Sequence, residues 1–285
     1  MTLLDNKQQR ANSKTFPSFA VCCLLFAVAF SACREDDSGD TVDIVAQIPW
    51  DAPQAARYVI VNSDEERQGE GVLSVAEDAE GNLVFMQQFS DDDGNADRSI
   101  VVADAQTLRP LRAEREIIDA SDDRRVVAVS RYEQEADGDP IVRIAELRFD
   151  PADEDDPALR CSPLKLRTDH YYDNDTSLFV WRTITFEEGW SATYTTVLSN
   201  QRDQGALTLR VQLREKVTTP VGEFDAWLVR IEGGGRQSQR AWFSTTPDHT
   251  LLVYNNNEDQ VFLYAGDADP PKVEPLADLP EECEG

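Results

Sequence analysis

Lysine is scarce in this chain, and acidic residues far outnumber basic ones. Only 5 of the 27 basic residues are lysine, and 54 acidic residues leave a formal net charge of −27. Such a surface repels phosphate backbones, because nucleic-acid binding requires Lys and Arg side chains that displace condensed counterions. The composition therefore predicts that the protein has no nucleic-acid partner.

Motifs of catalysis and of metal binding are also missing. The two histidines, His170 and His249, lie beside turn residues and outside any metal-ligand spacing such as H-E-x-x-H. No G-x-S-x-G sequence supplies a nucleophile. Among 54 carboxylates a close pair arises by chance, so paired acids are no evidence for glycoside hydrolysis. We therefore predict no catalytic residue, no metal site and no cofactor.

One acidic loop, Asp91-Asp92-Asp93-Gly94-Asn95-Ala96-Asp97, invites comparison with a calcium site. If Gly94 takes the sixth position of an EF-hand loop, Phe89 and Ile100 fall at the first and twelfth ligand positions. Neither side chain can bind calcium. A hairpin turn with Asp-Gly chemistry is the better interpretation.

The only apolar run of note lies near the N-terminus, at residues 19–33. Its core of about a dozen residues is too short to cross the roughly 30 Å of membrane hydrocarbon. Three basic residues precede it, and Ser31-Ala32 stand directly before Cys33. This arrangement is typical of a secretory signal peptide and resembles the lipobox of bacterial lipoproteins, although Phe30 stands where that motif prefers Leu. An uncleaved signal anchor, or ordinary cleavage nearby, is the alternative.

We therefore predict a lipoprotein signal peptide over residues 1–32 and an acylated N-terminus, with fatty acids such as palmitate, at Cys33. Removal of residues 1–32 takes away three positive charges and one negative, which brings the formal charge from −27 to −29. Anionic lipid headgroups repel such a chain, so membrane attachment must come from the acyl chains. The predicted location is the cell envelope, with the protein facing the periplasm or the cell exterior.

Cysteines are few after processing. Cys22 and Cys23 leave with the signal peptide, and the lipid takes Cys33. The remaining two, Cys161 and Cys283, form an even pair in a compartment where thiols can oxidise. We predict a disulfide between them that fastens the C-terminal tail to the middle of the chain.

Most of the chain has the pattern of β-strands. In residues 206–217, Leu207, Leu209, Val211 and Leu213 alternate with polar side chains, a period of two that is typical of a half-buried strand. Turn residues separate further strands, which are predicted at 57–61, 71–76, 82–89, 99–103, 125–132, 140–149, 177–186, 190–198, 224–231, 240–244, 250–255 and 260–264. The only weak helix candidates are 108–118 and 151–160, and an irregular connection is expected between the acidic stretches 150–156 and 169–175.

These strands predict an all-β, mainly antiparallel fold: one large curved sheet, a half-barrel or open barrel, with few short helices. A sandwich is the alternative. We expect a single β-rich domain over 47–266, preceded by an acidic flexible tether at 33–46 and followed by a Pro-rich acidic tail at 267–285. Tryptophans usually pack in cores, but they can also line an apolar cavity. The residues predicted to form an apolar concave face are Trp181, Trp190, Leu207, Leu209, Val211, Leu213, Trp227 and Trp242.

Three strings in the second half of the chain carry a family resemblance: Thr219-Pro220-Val221-Gly222-Glu223-Phe224, Trp242-Phe243-Ser244 and Leu251-Leu252-Val253. They resemble the T-P-x-G-x-F turn, the W-[YF]-S strand and the L-V strand of uncharacterised bacterial envelope proteins, classed as a domain of unknown function. The resemblance spans roughly residues 58–264. By fold this family is similar to the periplasmic lipoprotein carriers and their outer-membrane receptor, which implies an open half-barrel around an apolar cavity. It implies no catalytic residue, and the helical lid of those carriers is not evident here.

Three functional hypotheses follow. The first is a lipid-anchored, carrier-like protein that binds a lipid or another hydrophobic ligand on its concave face. The second is a non-catalytic structural or interaction protein of the envelope with a filled core. The third and least favoured is an enzyme acting on glycans. An open apolar face favours the first, a filled interior the second, and a polar cleft with two facing carboxylates the third.

Overall fold

The computed structural model of the protein describes residues 40–150, 153–233, 238–272 and 275–284. The predicted signal peptide and Cys33 lie outside these residues. Fifteen strands form one sheet. In chain order they are β1 Gln54–Val61, β2 Arg67–Glu77, β3 Leu83–Asp91, β4 Ala96–Ala103, β5 Pro110–Asp119, β6 Arg124–Gln134, β7 Pro140–Asp150, β8 Asp153–Lys165, β9 Tyr171–Asp173, β10 Ser191–Leu198, β11 Asp203–Thr219, β12 Gly222–Gly233, β13 Gln239–Ser244, β14 Leu251–Asn255 and β15 Val261–Asp267.

The strand order brings the two edges of the sheet close together. Hydrogen-bonded neighbours are antiparallel, apart from the parallel pair of β9 and β10. Because β1 pairs with β15, both halves of the chain meander outward from a shared centre to the edges β8 and β9. Only residues 166–170 connect those edges, and a twisted sheet of this size curls. The predicted all-β, mainly antiparallel open barrel is confirmed.

Side chains bridge the seam between the two edges. Gln204 Nε2 donates to the carbonyl oxygen of Lys165 at 2.7 Å, and Gln204 Oε1 accepts from the backbone nitrogen of Arg167 at 3.0 Å. Arg202 forms an ion pair of 2.8 Å with Glu146 of β7. At this seam, side-chain contacts hold the two ends of the sheet together, whereas backbone hydrogen bonds join neighbouring strands in the rest of the sheet.

A short helical segment, residues 174–183, enters the barrel between β9 and β10; we call it the plug. It consists of two 3-10 turns, Asn174–Thr176 and Trp181–Thr183, around a single α-turn, Ser177–Val180. The strand predicted at 177–186 is therefore wrong. The sheet surrounds the plug, so its apolar run lacks a polar face, and such a run cannot be told from a buried strand by periodicity.

Both weak helix predictions are also wrong. Residues 108–118 fall largely in β5, residues 153–160 belong to β8, and most of the expected irregular connection, up to Lys165, is also part of β8. β8 carries Pro157 and Pro163. An edge strand tolerates proline because one of its sides has no ladder bond to lose.

The segment before β1 packs against the barrel. Residues 41–50, which we call the strap, pair with the start of β10 and the end of the plug: Val42 N donates to Thr193 O at 2.8 Å, and Ala46 N donates to Thr183 O at 2.9 Å. Ile44 belongs to the main core and is 2 % exposed. The tether expected at 33–46 therefore has its last residues docked, because an apolar side chain interrupts the polar stretch.

Opposite the interior, two segments cover the apolar parts of the outer face. The tail crosses β3–β7, where Leu276 joins one outer cluster and Leu279 another. Its Cys283 is bonded to Cys161 of β8 in a disulfide with Cα atoms 5.1 Å apart. On the other half, Val217 and Phe224, near the tip of the β11–β12 hairpin, join an outer cluster of β12–β15.

None of the helices in the described ranges is long and apolar enough to span a membrane.

Candidate functional site

The eight residues predicted to form the concave face do not all lie inside the barrel. Trp181, Leu209, Val211 and Trp227 are buried in the main core, and Trp190 and Leu207 pack against it. The other two were wrongly predicted: Leu213 is 42 % exposed, and Trp242 belongs to the outer cluster of β12–β15.

Local geometry explains both corrections. The pairing of β11 with β12 shifts between Val211 and Arg214, so the alternation of inward and outward side chains breaks at Leu213. Trp242 alternates with Ala241 and Phe243, which face the core, so it must point outward. Its indole nitrogen donates to Glu215 Oε1 at 2.6 Å. The sequence shows alternation but does not show which face of a strand is inside.

The plug occupies the concave face of the sheet. Trp181 is 0 % exposed, and its Nε1 donates to the hydroxyl of Tyr194 at 2.8 Å. Phe179 of the plug lies 4.9 Å from Phe85 of β3, between ring centroids. A cavity of about 20 Å³ remains beside Arg182. Small-molecule sites usually measure roughly 300–1,000 Å³, so a lipid chain does not fit in this cavity.

A buried charge cluster lies where the plug begins. Arg115 of β5 holds Asp97 of β4 with two hydrogen bonds, Nε–Oδ1 at 3.0 Å and Nη2–Oδ2 at 2.6 Å. Its Nη1 contacts Asp175 of the plug at 3.2 Å. The side chains of Arg115 and Asp97 are only 4 % and 3 % exposed. Such a bidentate pair fixes direction as well as distance.

Asp173, the last residue of β9, extends the cluster. Its Oδ1 accepts from the backbone nitrogen of Asp175 at 2.8 Å, and Oδ2 accepts from the hydroxyl of Tyr132. Gln87 of β3 donates to the carbonyl oxygen of Asp175. The first residues of the plug are therefore held to β3–β6 by polar contacts, whereas Phe179 and Trp181 pack in the apolar core.

The three acids of the cluster, Asp97, Asp173 and Asp175, differ in their contact with Arg115. They share its one guanidinium, and Asp173 is the acid with no direct contact to it. Burial, and next the neighbouring Asp175 carboxylate, raise the pKa of Asp173 to about 7. Burial also raises the pKa of Asp97, against the opposing effect of Arg115. Burial and the Asp173 charge raise the pKa of Tyr132 well above its usual value. The buried negative charge of the cluster is therefore smallest relative to its single guanidinium when Asp173 keeps its proton.

This cluster is suited to holding the plug, not to chemistry on a substrate. All six of its side chains, those of Gln87, Asp97, Arg115, Tyr132, Asp173 and Asp175, are buried. No group of acidic, histidine or cysteine residues in the described ranges could hold a metal ion. These residues were not predicted from the sequence. The available signal was a polar side chain at an inward position of a strand, such as Arg115, which pairs with Ser99 of β4 and Ala128 of β6.

The acidic loop and the two histidines discussed in the sequence analysis lie in turns or connections. In the acidic loop, Asp91 Oδ1 accepts from the backbone nitrogen of Asn95 at 2.8 Å, which is hairpin chemistry. His249 lies in the β13–β14 turn with Nδ1 at 3.1 Å from Ser244 O. His170 precedes β9, and its Nδ1 lies 3.5 Å from Arg109.

Comparison with known proteins identifies the family. Residues 55–260 match the model of DUF3108, a family described as proteins of unknown function. The chain belongs to this family. The predicted membership in an uncharacterised family is thereby confirmed. No curated protein matches the chain.

Two solved structures are similar to this DUF3108 protein at low identity. One is a β-barrel-like protein of domain of unknown function DUF1849 from Brucella abortus, with 11 % identity, coverage of 76 % of this chain and 97 % of that one, and a TM-score of 0.39. The other is a candidate exported protein with a YmcC-like fold from Bacteroides fragilis, with 11 % identity, coverage of 76 % and 95 %, and a TM-score of 0.27.

The DUF3108 match begins in β1 and ends before β15. It includes the plug and the charge cluster. The strap and the tail lie outside it. Cys161 lies inside the matched region and Cys283 outside, so the disulfide joins the tail to the family domain.

Proposed function

We propose that this DUF3108 protein is a lipid-anchored component of the cell envelope, facing the periplasm or the cell exterior, that acts as a structural or interaction module and not as a lipid carrier. One observation carries the choice between these roles: the chain's own plug occupies the concave side of the sheet, with Trp181 fully buried. The apolar interior is filled by side chains of the chain itself. The predicted filled-core hypothesis is therefore favoured over the carrier hypothesis.

The docked strap limits the distance between the proposed lipid anchor and the barrel. If Cys33 is acylated, seven residues separate the anchor from Thr41, whose hydroxyl bonds to that of Thr168 at 2.9 Å. Extended chain covers at most about 3.6 Å per residue, so the barrel would lie within about 30 Å of the membrane surface. A short tether suits a module that acts at the membrane and does not shuttle between membranes.

Fatty-acid labelling tests the anchor. Cells expressing the protein are fed an alkyne-tagged fatty acid. Wild type should carry the label, and Cys33→Ser should not. Cys23→Ser is the matched control, because it changes a cysteine inside the predicted signal peptide and should leave the label in place. Equal labelling of wild type and Cys33→Ser contradicts lipidation at this residue.

A carrier remains the second candidate, and one observation favours it: Leu178, Phe179 and Trp181 present a contiguous apolar surface to the barrel wall. A hydrophobic ligand could replace that surface if the plug left the barrel. Departure would expose these side chains and separate Arg115 from Asp175.

Binding of an apolar fluorescent dye distinguishes the two roles. The packed module predicts no saturable binding to the native wild type, but binding to Phe179→Ala, whose truncated side chain opens space beside Phe85. Leu213→Ala, an exposed site on β11, is the control and should behave as wild type. Saturable binding to native wild type that fatty acids displace would establish the carrier instead.

A further inference from the structure

Arg182, in the last turn of the plug, is a buried cation held by neutral groups. Its side chain lies above the ring of Trp50 at 4.8 Å, and the residue is 8 % exposed. Nη2 donates to Asp248 O at 2.7 Å and to Gln54 Oε1 at 3.4 Å. Nε donates to the carbonyl oxygens of Asp248 and His249 at 3.3 and 3.2 Å. All these acceptors are uncharged.

The positive charge of Arg182 is not neutralised by an ion pair with a carboxylate. Among the described residues, none forms an ion pair with it. The nearest acid, Asp248, directs its carboxylate to the hydroxyls of Thr246 and Thr250. Burial lowers the pKa of Arg182, and Tyr58 and Asp248 oppose this effect only at a distance. A charge removed from water is costly unless an opposite charge accompanies it.

The cavity of about 20 Å³ lies beside this guanidinium, and both Arg182 and Gln54 line it. Two hydrogen-bond donors close to the guanidinium are unused. Gln54 Nε2, at the cavity, is buried without an acceptor, as is the Nε1 of Trp50, whose ring stacks on the guanidinium. An occupant that accepts hydrogen bonds and carries negative charge would complement this site.

We propose that this cavity binds one small monovalent anion of the halide class through Arg182 and Gln54. A single water needs a cavity of about 10–15 Å³, so the space suits one small ion such as chloride or bromide better than a carboxylic acid with a chain. Water would use the donors but would leave the guanidinium unbalanced. The anion would tie the end of the plug to β1, opposite the end that the charge cluster holds.

Thermal unfolding of the full chain in detergent tests the site. Sodium chloride or bromide replaces sodium gluconate at constant ionic strength, so that general screening stays fixed. Wild type should show a saturable rise in Tm of about 2–4 °C when the halide reaches ten times its Kd. Gln54→Glu places a carboxylate beside Arg182 in the position of the anion, and should abolish the halide dependence. Gln106→Glu adds the same charge in an exposed turn and should retain it.

Crystals of wild type grown in bromide provide a measurement that does not depend on any variant. We expect a bromide anomalous peak at hydrogen-bond distance from the Arg182 guanidinium and Gln54 Nε2. A peak there together with a halide effect that Gln54→Glu removes supports the site. An empty cavity in bromide, or equal halide effects in wild type and Gln54→Glu, overturns it.

Discussion

The two walls that enclose the plug differ in chemistry. The charged wall, formed by inward side chains of β4–β7, contains Asp97, Arg115, Tyr132 and Glu146. The aromatic wall, formed by inward side chains of β10–β15, contains Tyr194, Trp227, Phe243, Tyr254 and Phe262. The plug meets the first wall with Asp175 and the second with Trp181. One short segment is thus held by polar contacts at its start and by apolar contacts further along.

Because the walls differ in this way, we expect one wall to stabilise the plug and the other to fix its position. Apolar burial is strong but nearly non-directional, so the aromatic wall can stabilise several placements of Trp181. A bidentate arginine–carboxylate pair tolerates little displacement, and a buried pair contributes little net stability once desolvation is counted. The aromatic wall should therefore supply most of the free energy that retains the plug, and the charged wall should fix its register.

The largest expected effect comes from truncating the plug at the aromatic wall. Trp181→Ala should lower the free energy of unfolding by about 3–5 kcal/mol, because it removes a fully buried indole and leaves a cavity. Trp242→Ala, on the outer face, should cost much less. Urea unfolding of both variants measures the contrast, and equal losses would contradict a dominant contribution of the aromatic wall.

At the charged wall, Arg115→Met should also be costly. It leaves three buried carboxylates without their guanidinium, and breaking a buried pair typically costs about 3–5 kcal/mol. The loss should be greatest at pH 8 and smaller at pH 5, where protonation relieves the uncompensated charge. Trp181→Ala, by contrast, should cost the same at both pH values. A pH-independent loss in Arg115→Met would contradict an electrostatic role.

Outside the walls, the disulfide between Cys161 and Cys283 should contribute less. Its closed loop of 122 residues favours a large entropic effect, but measured losses are typically about 2–4 kcal/mol. Cys283→Ser should lower stability within that range and free the tail to proteolysis. Thiol labelling of the unreduced, unfolded wild type gives a direct check: two reactive cysteines would mean that no disulfide forms.

Periodicity predicted the aromatic wall better than the charged one. Leu209 and Val211 could be assigned to one buried face because strand alternation is local. The plug could not be recognised, since a helix buried on all sides loses its amphipathic pattern. Arg115 and Asp175 were also beyond prediction, because 60 residues separate them and a buried ion pair leaves no local pattern. The sites of Leu213 and Trp242 depended on a bulge and on strand register, which alternation does not encode.

The smallest expected effect is the pH dependence that Asp173 imposes. Its folded pKa of about 7 lies above the ordinary value of 3.8 for an aspartate, so the folded state binds the proton more tightly than the unfolded state. The stability that this proton confers is lost as the pH rises from about 4 to 7. Wild type should therefore be more stable at pH 5 than at pH 8 by about 2–3 kcal/mol, since each of the two pH units between 5 and the folded pKa is worth about 1.4 kcal/mol. His249 acts in the opposite sense, because burial lowers its pKa, so the comparison must be made between variants.

Asp173→Asn should flatten the dependence of stability on pH and gain stability at pH 8, while Asp169→Asn, at an exposed site nearby, should follow wild type. If wild type and Asp173→Asn show the same slope between pH 5 and pH 8 in urea titrations, the charged wall does not hold its proton on Asp173.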